Sequence, residues 1–92
     1  MKTPHFDIWT YYKGHDGHDT ALDAVIRRAA AIRSSGSGYC FVNGERDISF
    51  HTNRVETAIK AVKRLRQAFR SNKRRGCVQV FDNKKNKYVR LY

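Results

Sequence analysis

The stretch that decides the fold is residues 52–76, which read TNRVETAIKAVKRLRQAFRSNKRRG. Its apolar side chains recur every three or four residues, and this spacing predicts one long amphipathic helix. Thr52 or Asn53 is expected to cap the start of the helix, with Glu56 placed as in a capping box. Gly76 is expected to end it. The predicted apolar face consists of Val55, Ala58, Ile59, Val62, Leu65 and Phe69.

The other side of this helix is strongly basic. Positions 54–75 hold nine Lys or Arg and a single acid, Glu56, so the i,i+4 ion pairs of an ordinary surface helix are missing. Such a stripe can be a solvated face, but the lack of compensating acids favours a polyanionic partner. The residues predicted to reach phosphates or an acidic partner are Lys60, Lys63, Arg64, Arg70, Lys73, Arg74 and Arg75, with Arg27, Arg28 and Arg33 if the first helix packs alongside.

The formal net charge of the chain is +11, and it is unevenly distributed. Residues 1–26 sum to −2, whereas residues 27–92 sum to +13. A chain this basic repels itself, and a partner such as nucleic acid would relieve that repulsion. Its length predicts a single domain over 1–92, and without a long apolar run or a secretory signal it is expected to be soluble and cytoplasmic, with no membrane contact.

The rest of the chain predicts two helices and several short strands. Alternation of apolar and polar residues predicts a strand over 5–12. A second amphipathic helix is predicted over 20–34, capped by Asp19 or Thr20, and the SSGSG run at 34–38 is expected to be a flexible connector. The apolar face of this second helix is predicted to be Leu22, Val25, Ile26, Ala29 and Ile32.

Two hairpins complete the pattern. Strands at 39–42 and 48–51 flank an Asn-Gly turn that tolerates positive φ, and strands at 77–81 and 87–92 flank a polar turn. The order β-α-β-β-α-β, with one extra strand, is that of a ferredoxin-like split βαβ unit. The predicted fold is therefore an α+β domain, an antiparallel sheet with two helices on one face. Tyr39, Phe41, Ile48 and Phe50 are expected on the face that packs against the core.

The second sheet face would then be open and aromatic. If Phe6 and Ile8 point into the core, Trp9 and Tyr11 point the other way. Exposed aromatics beside a cation suit base stacking or a protein interface, although these rings could equally fill a core or a dimer contact. The third strand reads RDISFH, without the glycine of the RNA-recognition motif, so stacking has no support from a motif. The residues assigned to this face are Trp9, Tyr11, Phe81, Tyr88 and Tyr92, with Arg90 as a binding cation beside them.

Residues 15–19, HDGHD, are the most conspicuous local cluster of possible metal ligands. Zinc sites draw their ligands from two separated segments, and no second cluster is present, so a loop that caps the following helix is the better interpretation. Cys40 and Cys77 lie in apolar runs and are predicted to be buried free thiols rather than a disulfide or metal ligands.

No motif of nucleophilic, nucleotide-binding or acidic metal chemistry is found. The chain is therefore expected to have no catalytic residue, metal, cofactor or small-molecule substrate, and not to be an enzyme. One alternative of the enzyme class stays open, a small metalloenzyme that uses the side chains of His15, Asp16, His18 and Asp19.

Taken whole, from MKTPHFDIW at 1–9 through the basic helix to YVRLY at 88–92, the chain resembles phage-encoded anti-CRISPR proteins that inhibit the type I-F surveillance complex (Csy, a relative of Cascade). The resemblance implies a non-enzymatic inhibitor in the infected bacterial host. Such an inhibitor binds Cas proteins, can also contact guide RNA, and blocks target-DNA hybridisation. Inhibitors of this kind that imitate duplex DNA are acidic, so a net charge of +11 excludes mimicry here. The alternative function is a general RNA- or DNA-binding module.

Overall fold

Five strands and two helices follow one another in residues 4–13, 19–40 and 43–91, which the computed structural model describes. The predicted order of elements, with one extra C-terminal strand, is confirmed. No helix of this described part is long and apolar enough to cross a membrane. The elements are β1 (Phe6–Lys13), α1 (Thr20–Ala30), β2 (Ser34–Cys40), β3 (Glu45–Thr52), α2 (Val55–Ser71), β4 (Gly76–Asp82) and β5 (Lys87–Val89).

The strands form one antiparallel sheet in the order β2-β3-β1-β4-β5. β1 is central and pairs with β3 on one side and β4 on the other, as in a split βαβ unit. Helices α1 and α2 pack against each other and share one core with the same side of the sheet. The molecule is thus a small α+β domain with two layers, as the sequence predicted.

Strand β1 shows how the pleat separates the two faces of the sheet. Phe6, Ile8 and Tyr12 are buried under the helices, whereas Trp9 and Tyr11 lie on the opposite face, as predicted, although they are half-buried rather than exposed. The core is completed by α1 and α2 and by the inward residues of β3 and β4. Its other buried apolar side chains are Leu22, Ile26, Ala30, Ile48, Phe50, Ala58, Ala61, Val62, Leu65, Phe69 and Val80.

The start of α2 differs from the prediction. The N-cap residue is Arg54, which makes no side-chain capping hydrogen bond. The Thr52 hydroxyl accepts the amide hydrogen of Arg54 at 3.3 Å, and Asn53 Oδ1 accepts that of His5 at 3.0 Å. Asn53 therefore ties α2 to the start of β1 instead of capping the helix. Val55, assigned to the apolar face, is 40% exposed because it lies in the first turn, at the end of the core.

The end of α2 also differs. The helix stops at Ser71, because the Asn72 side-chain amide donates to the carbonyl of Ala68 at 2.7 Å and Lys73 adopts a left-handed φ of 53°. Gly76 is the first residue of β4 and not the helix stop. A Cβ atom at position 76 would lie 2.3 Å from the ring of Phe69, so close packing of α2 on β4 requires the glycine.

The SSGSG run is an edge strand and not a flexible connector. Ser34, Gly36 and Gly38 pair with β3, and α1 accordingly ends at Ala30 rather than at Ser34. Small residues fit here because β3 side chains lie close above the strand: a Cβ atom at Gly38 would be 3.0 Å from a carboxylate oxygen of Asp47. Backbone pairing with β3 thus forms a strand from serine and glycine residues, although their side chains do not favour strand formation.

The turns between paired strands follow the predicted chemistry. Gly44 adopts a positive φ of 70°, as expected for the Asn-Gly turn between β2 and β3. Tyr39 lies opposite Arg46 on the helix-covered face with Ile48 and Phe50, as predicted. Phe41 lies outside the described residues.

Asp82 anchors the turn between β4 and β5. Its carboxylate accepts the backbone amides of Lys84 at 2.9 Å and Lys85 at 3.1 Å, and pairs with His5 Nε2 at 3.1 Å. Burial alone would raise the pKa of Asp82, but the amides of Lys85 and Lys84 and the imidazole of His5 outweigh it and lower the pKa.

The two cysteines are free, as predicted, but exposed rather than buried. Cys77 lies opposite Tyr11 and Cys40 lies opposite Glu45, so both occupy the side of the sheet that the helices do not cover. The apolar runs around the two cysteines suggested burial. Alternate residues of a strand point to opposite faces of the sheet, however, and only one of these faces is the core.

Candidate functional site

The outer side of the two helices is basic and exposed. Burial of Ala58, Ala61 and Leu65 orients α2, and the basic residues of the opposite side face solvent. We call this the cationic surface; its members are Arg27 and Arg28 on α1 and Lys60, Lys63, Arg64 and Arg70 on α2, all of them exposed. The structure therefore exposes six of the predicted cations on the two packed helices.

Few negative charges accompany the cationic surface. Among the described residues of α1 and α2, Asp23 is buried and Glu56 is the one exposed acid. From Lys60 to Arg70 the helix rises about 15 Å, a length of duplex that carries about nine backbone charges. The surface is thus large enough to neutralise several phosphates.

Three other predicted cations lie outside this surface. Arg33 is exposed just after α1, and Lys73 is exposed in the turn after α2. Arg75 lines a shallow groove with Tyr11 and Cys77, on the other side of the molecule. Lys73 and Arg75 differ from the prediction because α2 ends at Ser71, before the Lys-Arg-Arg run, and Arg33 differs because α1 ends at Ala30.

Arg74, also predicted to reach phosphates, has internal partners. Its guanidinium donates to a carboxylate oxygen of Asp19 at 2.9 Å and to the carbonyl of Lys13 at 3.0 Å, and it lies 5.5 Å from the ring centroid of Tyr12. Arg74 therefore joins the end of β1 to the start of α1. Asp19 is also the N-cap of α1, since its carboxylate accepts the amide of Leu22 at 3.0 Å, as predicted.

A buried polar network, which the sequence did not single out, lies beside this contact. The Tyr12 hydroxyl donates to Asp23, and Asp23 accepts two hydrogen bonds from Arg46, at 2.9 and 3.2 Å. Arg46 also donates to the carbonyl of Gly38 at 3.1 Å. Burial and the hydrogen bond to Asp23 raise the pKa of Tyr12 to about 12. One feature of the sequence could have indicated that Arg46 is buried. It lies two positions before the core residue Ile48 in the same strand and therefore points to the same face of the sheet.

The face of the sheet that the helices leave uncovered carries paired aromatic rings. Trp9 and Tyr11 are stacked, with ring centroids 6.4 Å apart, and Phe81 and Tyr88 meet edge to face at 5.1 Å. Tyr88 is 62% exposed. We call this the open sheet face; besides these four rings it holds Asp7, Lys13, Cys40, Glu45, Asp47, Ser49, His51, Cys77 and Gln79. Tyr92 lies outside the described residues.

The strand neighbours of Trp9 and Tyr11 are acidic or neutral, and the cations that line a groove with Tyr11 are Lys13 and Arg75 rather than the expected Arg90. Trp9 lies between Ser49 and Gln79, and Tyr11 lies opposite Asp47. Burial raises the pKa of Tyr11, and the nearby Tyr88, Asp47 and Glu45 raise it further. Arg90 follows β5 and lines a crevice with Val62 and Leu91, toward the helix side of the sheet edge. The sequence did not predict Asp47 and Glu45 beside the rings, because these carboxylates belong to another strand and only the antiparallel register places them there.

Of the predicted metal-ligand cluster at 15–19, only Asp19 lies in the described part of the chain, where it caps α1 and pairs with Arg74. No group of three or more potential metal ligands is found in residues 4–13, 19–40 and 43–91. The possible role of His15 and His18 in a metalloenzyme therefore stays a sequence-based alternative.

The cationic surface and the open sheet face differ in their chemistry. No protein-family model, curated protein or solved structure matches this chain. The molecule presents a cationic helical side, suited to a polyanion, and an aromatic and acidic sheet side, suited to a different kind of partner.

Proposed function

We propose that this chain is a non-enzymatic inhibitor that binds a CRISPR–Cas ribonucleoprotein, the type I-F surveillance complex, and blocks hybridisation of target DNA. The cationic surface would lie on the guide-RNA backbone or on an acidic patch of a Cas subunit. The observation that carries the proposal is that this surface has six exposed cations and one exposed acid in the described helices. The choice of target follows from the resemblance to anti-CRISPR proteins described above.

The chemistry of the cationic surface favours contact with a backbone rather than with bases. Phe69, the one aromatic residue of the described helices, is buried in the core. Single-strand binders that hold bases use exposed aromatic platforms, which this surface lacks. Lysine and arginine contacts to phosphate position a protein without reading sequence. Selectivity for one ribonucleoprotein would then come from its shape and from additional protein contacts.

The size of the molecule supports a steric mode of inhibition. It measures 37 × 26 × 20 Å. At about 3.4 Å per nucleotide, a body of this size would cover about eight to eleven nucleotides of a helical strand. Seated on the guide, it would keep the incoming target strand from pairing, without any chemical step.

The proposal is tested by measuring target-DNA binding to purified type I-F surveillance complex while this protein is added. The native chain should abolish binding, and the double variant Arg64→Glu, Arg70→Glu should not. The matched control is Lys84→Glu, Lys85→Glu, which changes the net charge equally but alters the exposed turn between β4 and β5. Equal inhibition by all three proteins would remove the cationic surface from the mechanism, and no inhibition by the native chain would refute the proposed target.

The second candidate is a general RNA- or DNA-binding module, which the same backbone-type surface would serve. It predicts that free RNA of unrelated sequence binds as tightly as the surveillance complex. If about five phosphates are neutralised on duplex nucleic acid, log K should fall with log salt at a slope of about −4 to −5. Strong binding to free RNA with no preference for the complex would favour this module over the inhibitor.

A further inference from the structure

The few acids of this basic chain are not spread evenly over its surface. Of eight Asp and Glu residues, three lie on the open sheet face: Asp7, Glu45 and Asp47. Three others are used inside the molecule, since Asp19 pairs with Arg74, Asp23 pairs with Arg46, and Asp82 contacts the His5 imidazole. The open sheet face is therefore the region where negative charge collects in a chain of net charge +11.

The carboxylates at one end of this face lie near two cations, because Glu45 lines the same groove as Lys13 and Arg75. Glu45 and Asp47 take part in no ion pair within the described residues, although Lys13 lies opposite Glu45 in the strand register. A partner that supplied positive charge would gain from these carboxylates, whereas a nucleic acid would be repelled by them.

The aromatic rings lie among these carboxylates. Tyr11 lies opposite Asp47 and is stacked on Trp9, and Tyr88 is exposed beside Phe81. A guanidinium group binds a carboxylate through two parallel hydrogen bonds and also stacks on aromatic faces. Lysine makes neither the fork-shaped contact nor the planar stack.

We propose that the open sheet face docks onto an arginine-rich protein surface, through its carboxylates and exposed rings. Charge complementarity selects this occupant, because the face holds three carboxylates against the two cations Lys13 and Arg75, whereas the outer side of the helices is strongly basic. A second copy would have to place its cationic surface here. That contact is head-to-tail and does not close, so it would build open chains of molecules rather than a defined dimer.

For the identity of the partner, this inference rests on the proposed function. In that setting the arginine-rich surface belongs to a Cas subunit. The inhibitor would then have two contacts of opposite charge, the helices on an anionic partner and the sheet on a cationic protein surface. Recognition of arginine by the sheet does not itself depend on the target.

The test uses the single tryptophan of the chain, Trp9, as a probe that lies on this face. The full chain is titrated with a peptide of nine arginines, and tryptophan fluorescence is recorded, with a peptide of nine lysines as the comparison. We expect a saturable change with the arginine peptide and weaker binding of the lysine peptide. The assay contains no ribonucleoprotein, so failure of the proposed target leaves its result intact.

Variants assign the binding to the face. The double variant Glu45→Gln, Asp47→Asn should bind the arginine peptide about tenfold more weakly, as the loss of two exposed ion pairs implies. Glu56→Gln removes an exposed acid of α2 instead and should leave the affinity unchanged. If the double variant is unstable, Tyr88→Ala, at a position 62% exposed, provides the second variant and should also weaken binding.

Three outcomes would overturn the inference. The first is the absence of a fluorescence change with the arginine peptide. The second is equal affinity of the native chain, the double variant and Glu56→Gln for that peptide. The third comes from sedimentation of the chain alone: concentration-dependent association that the double variant abolishes would assign the face to a second copy.

Discussion

Replacement of Asp23 by alanine is expected to destabilise the fold by about 3–5 kcal/mol, the usual cost of leaving one member of a buried ion pair without its partner. Asp23 is 3% exposed and Arg46 is 7% exposed. Without the carboxylate, the guanidinium of Arg46 keeps only the carbonyl of Gly38 as an acceptor in the described structure. The Tyr12 hydroxyl loses its acceptor at Asp23 as well.

This loss is large for a chain of 92 residues, whose free energy of unfolding should be about 5–14 kcal/mol. Urea unfolding followed by far-UV circular dichroism measures the loss as a lower midpoint at unchanged slope. The matched control is Glu56→Ala. Asp23 and Glu56 both lie in the first turn of a helix, so both substitutions remove a favourable helix-dipole contact of about 0.3–1 kcal/mol, but only Asp23 is buried.

The double variant Asp23→Leu, Arg46→Met separates the cost of an unpaired charge from the value of the pair. Removing both charges should recover much of the stability that Asp23→Ala loses, because no guanidinium is then left buried without a carboxylate. A loss of less than about 1 kcal/mol in Asp23→Ala, equal to that of Glu56→Ala, would refute the buried-pair explanation.

Three further predictions concern packing and pH. Gly76→Ala should cost about 1–3 kcal/mol in the same urea assay, because the added methyl group would lie 2.3 Å from the ring of Phe69; an unchanged midpoint would contradict this. Since the fold raises the pKa of Tyr12 from 10.0 to about 12, its contribution to stability is complete below pH 10 and is lost as the pH rises toward 12. Tyr12→Phe should lack that alkaline loss, and an identical pH profile would show that another group causes it. The lowered pKa of Asp82 has the opposite sign: its contribution is present above the usual carboxyl range and is lost as the pH falls through it, so Asp82→Asn should flatten the acid side of the stability profile.

The sequence by itself determined the order of the elements and the faces of most of them. The alternation along β1 separates Ile8 from Trp9, and the structure places these two side chains on opposite sides of the sheet. The spacing in α2 separates its buried residues from its basic ones in the same way. These are local patterns, with periods of about 2 and 3.6 residues, so neighbouring positions are enough to predict them.

Only the tertiary structure decided which charges are free and which are used inside the molecule. Arg74 pairs with Asp19, 55 positions earlier in the chain, and Arg46 pairs with Asp23, 23 positions earlier. The tertiary structure also made an edge strand of residues 34–40 and placed Asp47 beside Tyr11. These features depend on strand register and helix packing, which bring together residues that are distant in sequence, and no local period records such contacts.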